Sequence, residues 1–493
     1  MKYSIIILVV ITLSFTIVNA QWSQIGQDID GMAEGDLTGW SVSISSDGSV
    51  VALSDISSDT NGVNSGQVRV FENNNNIWTQ IGQTILGEST DNSFGYSVSI
   101  NASGSILAIG SPYDDLGGTN SGLVQVFENM NGTWVQIGQN LFGGNPFDQA
   151  GWSVSLNAEG NILAIGSDFY GDNGSQTGQV RIYEISNGIW TQLGQDIYGE
   201  GEPDNSGWSV SLNDDGTIIA IGAPRNEGVG SQAGHVRIYN YSNGTWTQLG
   251  QDINAEAEFD LFGFSVSLNS EGNIVAIGGI HNEGNGSLSG HVRIFELVSE
   301  NWQQIGADLD GLQNENFGQS VSINNSGTKV AVGVLFGTNN SYGSVRIFEN
   351  SNNNWQQIGE DIDGESTSDS YGRSVSLDAT GTIVAVGSPF SSKNGSNSGL
   401  VRVFGDETLS NSQFFKNEIS VYPNPTENVL FLKSNFPISK VNVYDVYGKL
   451  VFNKQFLKNN REKQINIAHL ESGFYLIKIF GNNLVSQLKI VKR

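Results

Sequence analysis

The amino-acid sequence predicts an all-β protein with two folded parts, a seven-bladed β-propeller over residues 21–404 and a small immunoglobulin-like β-sandwich over residues 417–493. Three observations lead to this prediction. The phrase W-x-Q-[IL]-G occurs seven times, with five spacings of 56 residues and a last spacing of 53. Each period contains four short strand-type runs bounded by Gly, Asn, Asp and Ser. No helical periodicity is visible between residues 21 and 404.

The first 20 residues have the form of a signal peptide. Lys2 supplies the positive end, "SIIILVVITLSFTIV" is a short apolar run, and "VNA" before Gln21 has the small-x-small pattern of a cleavage site. A membrane anchor is the alternative, but no stop-transfer charge cluster follows. We therefore expect export, and no transmembrane span in the mature chain.

The repeat is set by tryptophans, which we expect to fill the outer strands as structural residues. They are Trp22, Trp78, Trp134, Trp190, Trp246, Trp302 and Trp355. In the period from Trp78 the four strand-type runs are "WTQIGQTI", "YSVSI", "ILAIG" and "LVQVF". Four antiparallel strands per repeat are typical of a propeller blade. A β-solenoid is the structural alternative. Blades converge on an axis, so inner strands should carry small residues.

The phase of the repeat predicts how the ring closes. The chain enters on a Trp strand, Trp22 to about Gln27, and leaves on "VRVF" at Val401–Phe404. The last blade therefore lacks its outer strand. We expect the N-terminal segment to pair with residues 401–404, so that no long sheet edge stays free.

The loops of each repeat fall into two classes. The turn after "SVS[IL]" is always a tight Gly-containing hairpin, as in "NAEGN". Two other connections are long and rich in Asp and Gly, and they should gather on one face, where binding sites on such scaffolds occur. One acidic or amide position recurs there: Asp36, Asn92, Asp148, Asp204, Asp260, Glu315 and Asp369. These side chains either form a ligand-binding ring of carboxylates for calcium or a cationic ligand, or cap their own loops, as Asp does in Asx-turns.

Composition excludes several kinds of function. The formal net charge is −27, and residues 21–405 carry 43 acidic against 10 basic side chains, so we expect no nucleic-acid partner. The recurring Arg of "VRV" should pair with acids between blades. The chain has no cysteine, which excludes thiol nucleophiles, thiolate zinc sites and iron–sulfur clusters.

No catalytic constellation is visible. The chain has four histidines, and no H-E-x-x-H, G-x-S-x-G, phosphate-loop or dinucleotide motif. His235 and His291 occupy equivalent "GHVRI" positions one period apart, which indicates a repeated surface or inter-blade position. His281, on a long loop, is the histidine we name as a binding candidate. His469 lies in the C-terminal part.

The repeat resembles a known family. "FGYSVSI…LAIGSP" from Phe94 and "GWSVSL…IAIGAP" from Gly207 are similar to the FG-GAP repeats of the integrin α-subunit propeller and its bacterial relatives. The resemblance implies a propeller used in extracellular recognition. The D-x-D-x-D-G loop of calcium-binding FG-GAP repeats is absent, because the corresponding turn is of the short "NAEG" type. We therefore expect no cofactor and assign no metal site.

The C-terminal part resembles the type A sorting domain of the type IX secretion system. The resemblance rests on "YPNP" from Tyr422, "YDVYGK" from Tyr444, "GFYLIKI" from Gly473 and the basic end "KIVKR". It implies that residues 417–493, after a linker at 405–416, are recognised by the secretion machinery of a Bacteroidetes-type bacterium. The cargo would then be secreted or held on the outer-membrane surface.

These observations favour an exported propeller that binds an extracellular protein or glycan through its long-loop face. A polysaccharide hydrolase or lyase on the same scaffold is an alternative, which would need a blade that breaks the pattern. The nearest such stretches are "FGTNNSYG" from Phe336 and "PRNEGVGSQAG" from Pro224. A purely structural surface protein is the third hypothesis.

Overall fold

The protein is described here by a computed structural model. It describes residues 22–171, 176–337, 342–366, 369–406, 419–434, 438–445, 449–456, 460–481 and 484–493. The predicted signal peptide, and residues 407–416 of the predicted linker, lie outside this part of the chain. The chain forms two compact units, residues 1–406 and 407–493. The described residues form β-strands and no helix, and none of their segments is a helix long and apolar enough to cross a bilayer.

The described residues of the first unit form 35 short strands. The first seventeen are β1 (Trp22–Gln24), β2 (Ile29–Asp30), β3 (Thr38–Ile44), β4 (Val50–Asp55), β5 (Gln67–Asn73), β6 (Trp78–Gln80), β7 (Ile85–Leu86), β8 (Ser97–Ile100), β9 (Ile106–Ser111), β10 (Leu123–Asn129), β11 (Trp134–Gln136), β12 (Leu141–Phe142), β13 (Ser153–Leu156), β14 (Ile162–Ser167), β15 (Gln179–Ser186), β16 (Ile189–Gln192) and β17 (Ile197–Tyr198). The others are β18 (Ser209–Leu212), β19 (Ile218–Ala223), β20 (His235–Ser242), β21 (Thr245–Gln248), β22 (Ile253–Asn254), β23 (Phe262–Leu268), β24 (Ile274–Gly279), β25 (His291–Val298), β26 (Asn301–Gln304), β27 (Leu309–Asp310), β28 (Phe317–Ile323), β29 (Lys329–Val334), β30 (Ser344–Asn350), β31 (Trp355–Gln357), β32 (Ile362–Asp363), β33 (Ser374–Leu377), β34 (Ile383–Ser388) and β35 (Leu400–Asp406).

These strands form seven antiparallel sheets of five strands each. Six sheets use five consecutive strands, from β3–β7 to β28–β32. The seventh combines β33, β34 and β35 with β1 and β2 from the other end of the unit. Gln24 pairs with Phe404 and Ile29 with Val401, which is the pairing of chain ends that the repeat phase predicts.

The sheets follow one another in a closed cycle. The inner strands, meaning the first strand of each sheet (β3, β8, β13, β18, β23, β28 and β33), each contact the next, and β33 contacts β3. Hydrophobic cores lie between neighbouring sheets. One, for example, packs Val236 and Ile238 of β20 against Val275 and Ile277 of β24, with Trp302 beside them. This arrangement of antiparallel sheets fits a β-propeller.

The predicted single Trp strand is wrong in detail, because it is two short strands. Each pairs with the third strand of its sheet, as β6 and β7 both pair with β5. The chain bends between them at a glycine of positive φ, Gly82 at 73°. A Cβ on Gly82 would stand 2.8 Å from Cδ1 of Trp134 in the next sheet. The Gly of W-x-Q-[IL]-G is therefore required both by its backbone conformation and by the neighbouring indole.

Serines of the "SVS" phrase join adjacent inner strands. The second serine accepts a hydrogen bond from a backbone N–H of the next inner strand, as Ser43 does from Ile100 at 3.0 Å. The first serine donates to a glycine carbonyl of the next repeat, as Ser97 does to Gly151 at 2.8 Å. Each inner strand is the edge of its sheet, so these hydroxyls satisfy backbone groups that would otherwise lack partners.

The part of the second unit that the structure describes forms two antiparallel sheets on one core. The first contains β36 (Ile419–Tyr422), β37 (Val429–Ser434) and β40 (Glu462–Asn466), and the second contains β38 (Lys440–Tyr444), β39 (Leu450–Gln455), β41 (Gly473–Gly481) and β42 (Leu484–Lys492). Leu430 and Ile465 of the first sheet share a hydrophobic core with Val441 and Ile477 of the second. The alternating apolar positions of these runs thus point into one interior.

Candidate functional site

A central cavity, called the channel below, lies between the seven inner strands, and one residue from each repeat rings it. This residue stands between the glycine and the serine of the G-x-S-V-S phrase. The seven ring residues are Trp40, Tyr96, Trp152, Trp208, Phe264, Gln319 and Arg373. They and the neighbouring Ser and Val side chains line a cavity of about 250 Å³. The glycine before each has φ between 82° and 93°, a conformation that favours glycine.

Five aromatic rings stack in sequence around the channel. The ring centroids are 5.7 Å apart for Trp40 and Tyr96, 4.6 Å for Tyr96 and Trp152, 4.9 Å for Trp152 and Trp208, and 5.2 Å for Trp208 and Phe264. The interplanar angles lie between 42° and 52°. Offset, tilted contacts of this kind stabilise one another by about 0.5–1.5 kcal/mol each. The arc is therefore a rigid apolar wall whose rings are half-buried and still reachable from the cavity.

Two polar residues close the ring. Gln319 follows Phe264, and the guanidinium of Arg373 lies 4.3 Å from the centroid of Trp40 in a cation–π contact. Burial lowers the pKa of Arg373 from its ordinary value, but an arginine stays charged at physiological pH. No carboxylate among the described residues lies within ion-pair distance of this guanidinium. The channel therefore presents one unpaired cation beside an aromatic wall.

The cavity lining offers binding groups and no acid–base pair. The described residues that line it are aromatic, Ser, Val, Gln and Arg, with no Asp, Glu or His among them. A hydrolase of the two-carboxylate type needs a proton donor and a second carboxylate on either side of the scissile bond. Neither group lines this cavity.

The recurring acidic position of the long loops is buried. The exposed fractions of Asp36, Asn92, Asp148, Asp204, Asp260, Glu315 and Asp369 lie between 0 and 4%. Six of these side chains accept backbone N–H groups of their own loops, as Asp36 does from Ala33 at 2.7 Å and Glu315 does from Leu312 at 2.7 Å. Burial raises the pKa of Asp36 and of Asp369. These contacts favour the loop-capping alternative over a ligand-binding ring.

The recurring Arg of "VRV" contacts the last strand of the preceding sheet or the loop that follows that strand. Arg237 donates to the carbonyl of Tyr198 at 2.6 Å, and Arg346 forms two bonds of 2.7 Å to the carboxylate of Glu315. His281 is half-buried, and burial lowers its pKa. His281 does not line the channel cavity.

The surface alternative for His235 and His291 is wrong. Their exposed fractions are 1% and 0%, and they lie between sheets beside acidic side chains of two repeats. The sequence could not reveal this burial, because the "GHVRI" run looks like any strand start. The seven predicted structural tryptophans include six that are 2–8% exposed and Trp22, which is half-buried.

Two features of the first unit were missed by sequence reasoning, and one of them is the channel ring. The ring residues occupy the one variable letter inside an otherwise constant phrase, and that variability was the available signal. Asp168 is fully buried in a long loop, and its Oδ1 has no hydrogen-bond partner. Burial raises the pKa of Asp168 well above its ordinary value. Asp168 takes the place that Pro112, Pro224 and Pro389 hold in other repeats.

Two family models match parts of the chain. Residues 420–493 match the secretion system C-terminal sorting domain, and residues 87–127 match the FG-GAP repeat. Both resemblances inferred from the sequence are thus confirmed. The sorting domain marks proteins that the type IX system exports to the cell surface or the extracellular space, and it implies contact with that machinery. No curated protein matches the chain.

Two solved structures illustrate how distant the likenesses are. One is a candidate 6-phosphogluconolactonase from Bacteroides uniformis, with 13% identity and a TM-score of 0.47 over 66% of this chain and 86% of that chain. Another is U3-55K, with 12% identity and a TM-score of 0.49 over 78% of this chain and 100% of that chain. Likenesses at this level carry no inference about what this chain does.

Proposed function

We propose that this chain is an exported recognition protein whose seven sheets are the blades of a β-propeller and whose channel binds an acidic extracellular glycan. A signal peptide at 1–20 and an immunoglobulin-like sorting sandwich at 417–493 would serve its export from a Bacteroidetes-type bacterium. The observation that carries the binding proposal is the ring of channel residues. The side chains of this ring differ from repeat to repeat, and they lie at the axis where all seven repeats meet.

The chemistry of the ring favours a sugar with a carboxylate. Trp152 and Trp208 present large apolar faces, on which the C–H face of a pyranose ring can pack. Arg373 supplies a planar fork of donors that suits a carboxylate, and a cation in a half-buried channel binds an anion more strongly than one in open water. A cavity of about 250 Å³ lies below the usual ~300–1,000 Å³ of ligand sites, so it suits a single ring or a chain end.

The repeats themselves provide conservative variants for the test. Gln319 occupies the position of Arg373 in a neighbouring repeat, so Arg373→Gln removes the charge with a residue that the position accepts. Arg181→Gln is the matched control, because Gln125 stands at its equivalent position and neither residue lines the channel. Both variants lose one positive charge.

The experiment is calorimetric titration of the mature chain with uronate-containing oligosaccharides and with their neutral counterparts. We expect the parent and Arg181→Gln to bind the acidic sugars equally. Arg373→Gln should lose at least about tenfold in affinity, the equivalent of one charge-assisted hydrogen bond. Equal binding by Arg373→Gln and the parent, or no binding of any acidic sugar, would overturn the proposal.

A protein partner on the long-loop face is a second candidate, which one observation favours. Phe147 and Phe259 hold equivalent loop positions in two repeats and are 57% and 52% exposed. Both adopt positive φ, 70° and 67°, which is costly for a bulky residue. Exposed strained aromatics are typical of binding surfaces. Replacement of both phenylalanines by Ser should abolish binding of the chain to cells that display the protein partner, while sugar binding stays unchanged.

A further inference from the structure

Two sets of three side chains recur at successive junctions between sheets. The first set is Glu200, His235 and Asp252, and the second is Glu256, His291 and Asp308. Within each set, one nitrogen or oxygen atom per residue lies within 4.8 Å of the others. In each set the Glu follows the last strand of one sheet, the His begins the third strand of the next sheet, and the Asp lies in the bend of that sheet's Trp segment.

The buried histidine of the second set has no hydrogen-bond partner. His291 is 0% exposed, and neither of its ring nitrogens is hydrogen-bonded. Its Nδ1 points toward Asp308, 3.8 Å from Oδ2, which is too long for a hydrogen bond. Nε2 of His235 in the first set likewise has no partner. Buried imidazole nitrogens without a partner are uncommon and call for an explanation.

An equivalent repeat shows what this position does without a histidine. Gln179 begins the third strand of its sheet, and its Nε2 donates to Oδ2 of Asp196 at 2.7 Å. In that repeat the side chain at this position therefore bonds the aspartate of the bend directly. At His291 that bond is replaced by a gap of 3.8 Å between Nδ1 and Oδ2 of Asp308. Two ligands of one tetrahedral zinc ion stand about 3.4 Å apart, which is close to the gap seen here.

The oxygen atoms around the gap are arranged for a further ligand. Oδ1 of Asp308 accepts a bond of 2.6 Å from Gln304, which leaves Oδ2 facing His291. Arg293 lies 3.7 Å from Glu256 and 3.8 Å from Oδ1 of Asp308, distances that make both ion pairs loose. Glu256 is half-exposed, so a water molecule can reach the site from that side.

We propose that each set binds one divalent transition-metal ion, of the zinc class, through one imidazole nitrogen and two carboxylates, with water as the remaining ligand. One nitrogen and two oxygen donors suit zinc, cobalt or nickel better than calcium, which prefers oxygen alone. Each ion would join two neighbouring sheets. This inference does not depend on the channel proposal, since neither set lines the channel.

The test measures zinc stoichiometry in the mature chain after chelator treatment and titration with zinc chloride. We expect two ions per chain, one after His291→Gln and none after the double variant with His235→Gln. Gln179 indicates that these variants keep their fold. Cobalt in place of zinc should give visible bands typical of four-coordinate nitrogen and oxygen ligation, and His291→Gln should reduce them by half.

A matched variant separates this site from casual binding to an acidic protein. Gln179→His places a histidine beside Asp196, at the position that His235 and His291 hold in their repeats. The glutamate of the other two sets is missing there, because Gly144 occupies its place. We expect its stoichiometry to stay at two. If the double histidine variant is unstable, Glu200→Gln with Glu256→Gln provides the same loss of sites from half-exposed positions. Undiminished zinc binding in either double variant, or no zinc retained by the parent at micromolar concentration, would overturn the proposal.

Discussion

The indole Nε1 of Trp22 donates a 3.3 Å hydrogen bond to the backbone carbonyl of Ile358, 336 residues further along the chain. Every other junction has the same bond, since each repeat's tryptophan donates to the Ile or Leu of W-x-Q-[IL]-G in the preceding repeat. The distances are 2.8–3.1 Å. The junction between the first and last repeats is therefore formed by the same indole–carbonyl hydrogen bond that joins every other pair of neighbouring repeats.

The glycine of W-x-Q-[IL]-G is expected to be a stability determinant. Gly82→Ala places a Cβ 2.8 Å from Trp134 at a φ of 73°, whereas Gly132→Ala has a similar φ of 83° and nothing within 4 Å. Gly132→Ala should cost only the backbone strain, about 1–2 kcal/mol of unfolding free energy. Gly82→Ala should cost about 1–3 kcal/mol more through overpacking. Denaturant unfolding of both variants measures this difference, and equal losses would show that the indole contact is unimportant.

Asp168→Asn should stabilise the protein, and more so as the pH rises. Burial raises the pKa of Asp168, so the folded state favours the neutral acid. The protonated Asp168 carboxyl contributes its full stabilisation below the pKa of an Asp in the unfolded chain, near 3.9. That contribution is lost as the pH rises through the pKa of Asp168 in the folded protein. At pH 8 the variant should gain about 1–3 kcal/mol, the usual cost of an unsatisfied buried polar group. Unfolding free energies at pH 4 and pH 8 test this, and a gain that does not grow with pH would contradict it.

His235→Gln should protect the protein against mild acid. Burial, with Arg237 close by, lowers the pKa of His235 to about 4, while Asp252 and Asp204 act in the opposite direction. The unfolded chain therefore binds a proton near pH 6.5, before the folded chain does, so stability falls between pH 6.5 and 4. The parent should lose about 3 kcal/mol more than His235→Gln over this range. Unfolding titrations with a chelator present measure the difference, and parallel pH curves would contradict the prediction.

The sequence was sufficient to predict the strand content, the repeat and the pairing of chain ends, because a period set by Trp22 to Trp355 fixes the phase of every strand. The split of the Trp strand was not predictable. It depends on Gln27, whose side chain bonds the backbone of Trp78 in the next sheet at 2.7 and 3.1 Å. Only knowledge of which sheets are neighbours reveals that contact.

The channel ring was hidden for a related reason. The expectation of small residues near the axis holds for Gly110 of β9, the second strand of its sheet, where a Cβ would stand 2.2 Å from the carbonyl oxygen of Gly151 in the next sheet. The same expectation is wrong for the position after Gly151. Trp152 stands there and lines an open space that exists only when the seven sheets form a closed cycle. Charge and hydropathy patterns along one strand do not indicate such a space.

The most direct test of the closed cycle of sheets is an engineered disulfide between the two ends of the first unit. Ser23 lies opposite Gly405 in the antiparallel pairing of β1 with β35, and such partners have Cα atoms about 4.5–5.5 Å apart, within reach of a disulfide. The chain has no native cysteine to compete. Ser23→Cys with Glu349→Cys is the control, because Glu349 holds the matching place in β30 but is paired with Gln356. We predict a near-complete intramolecular disulfide in the first variant and free thiols in the control, measured by peptide mass spectrometry. Free thiols or intermolecular dimers in the Ser23→Cys/Gly405→Cys variant would contradict a closed cycle of sheets, and with it the channel.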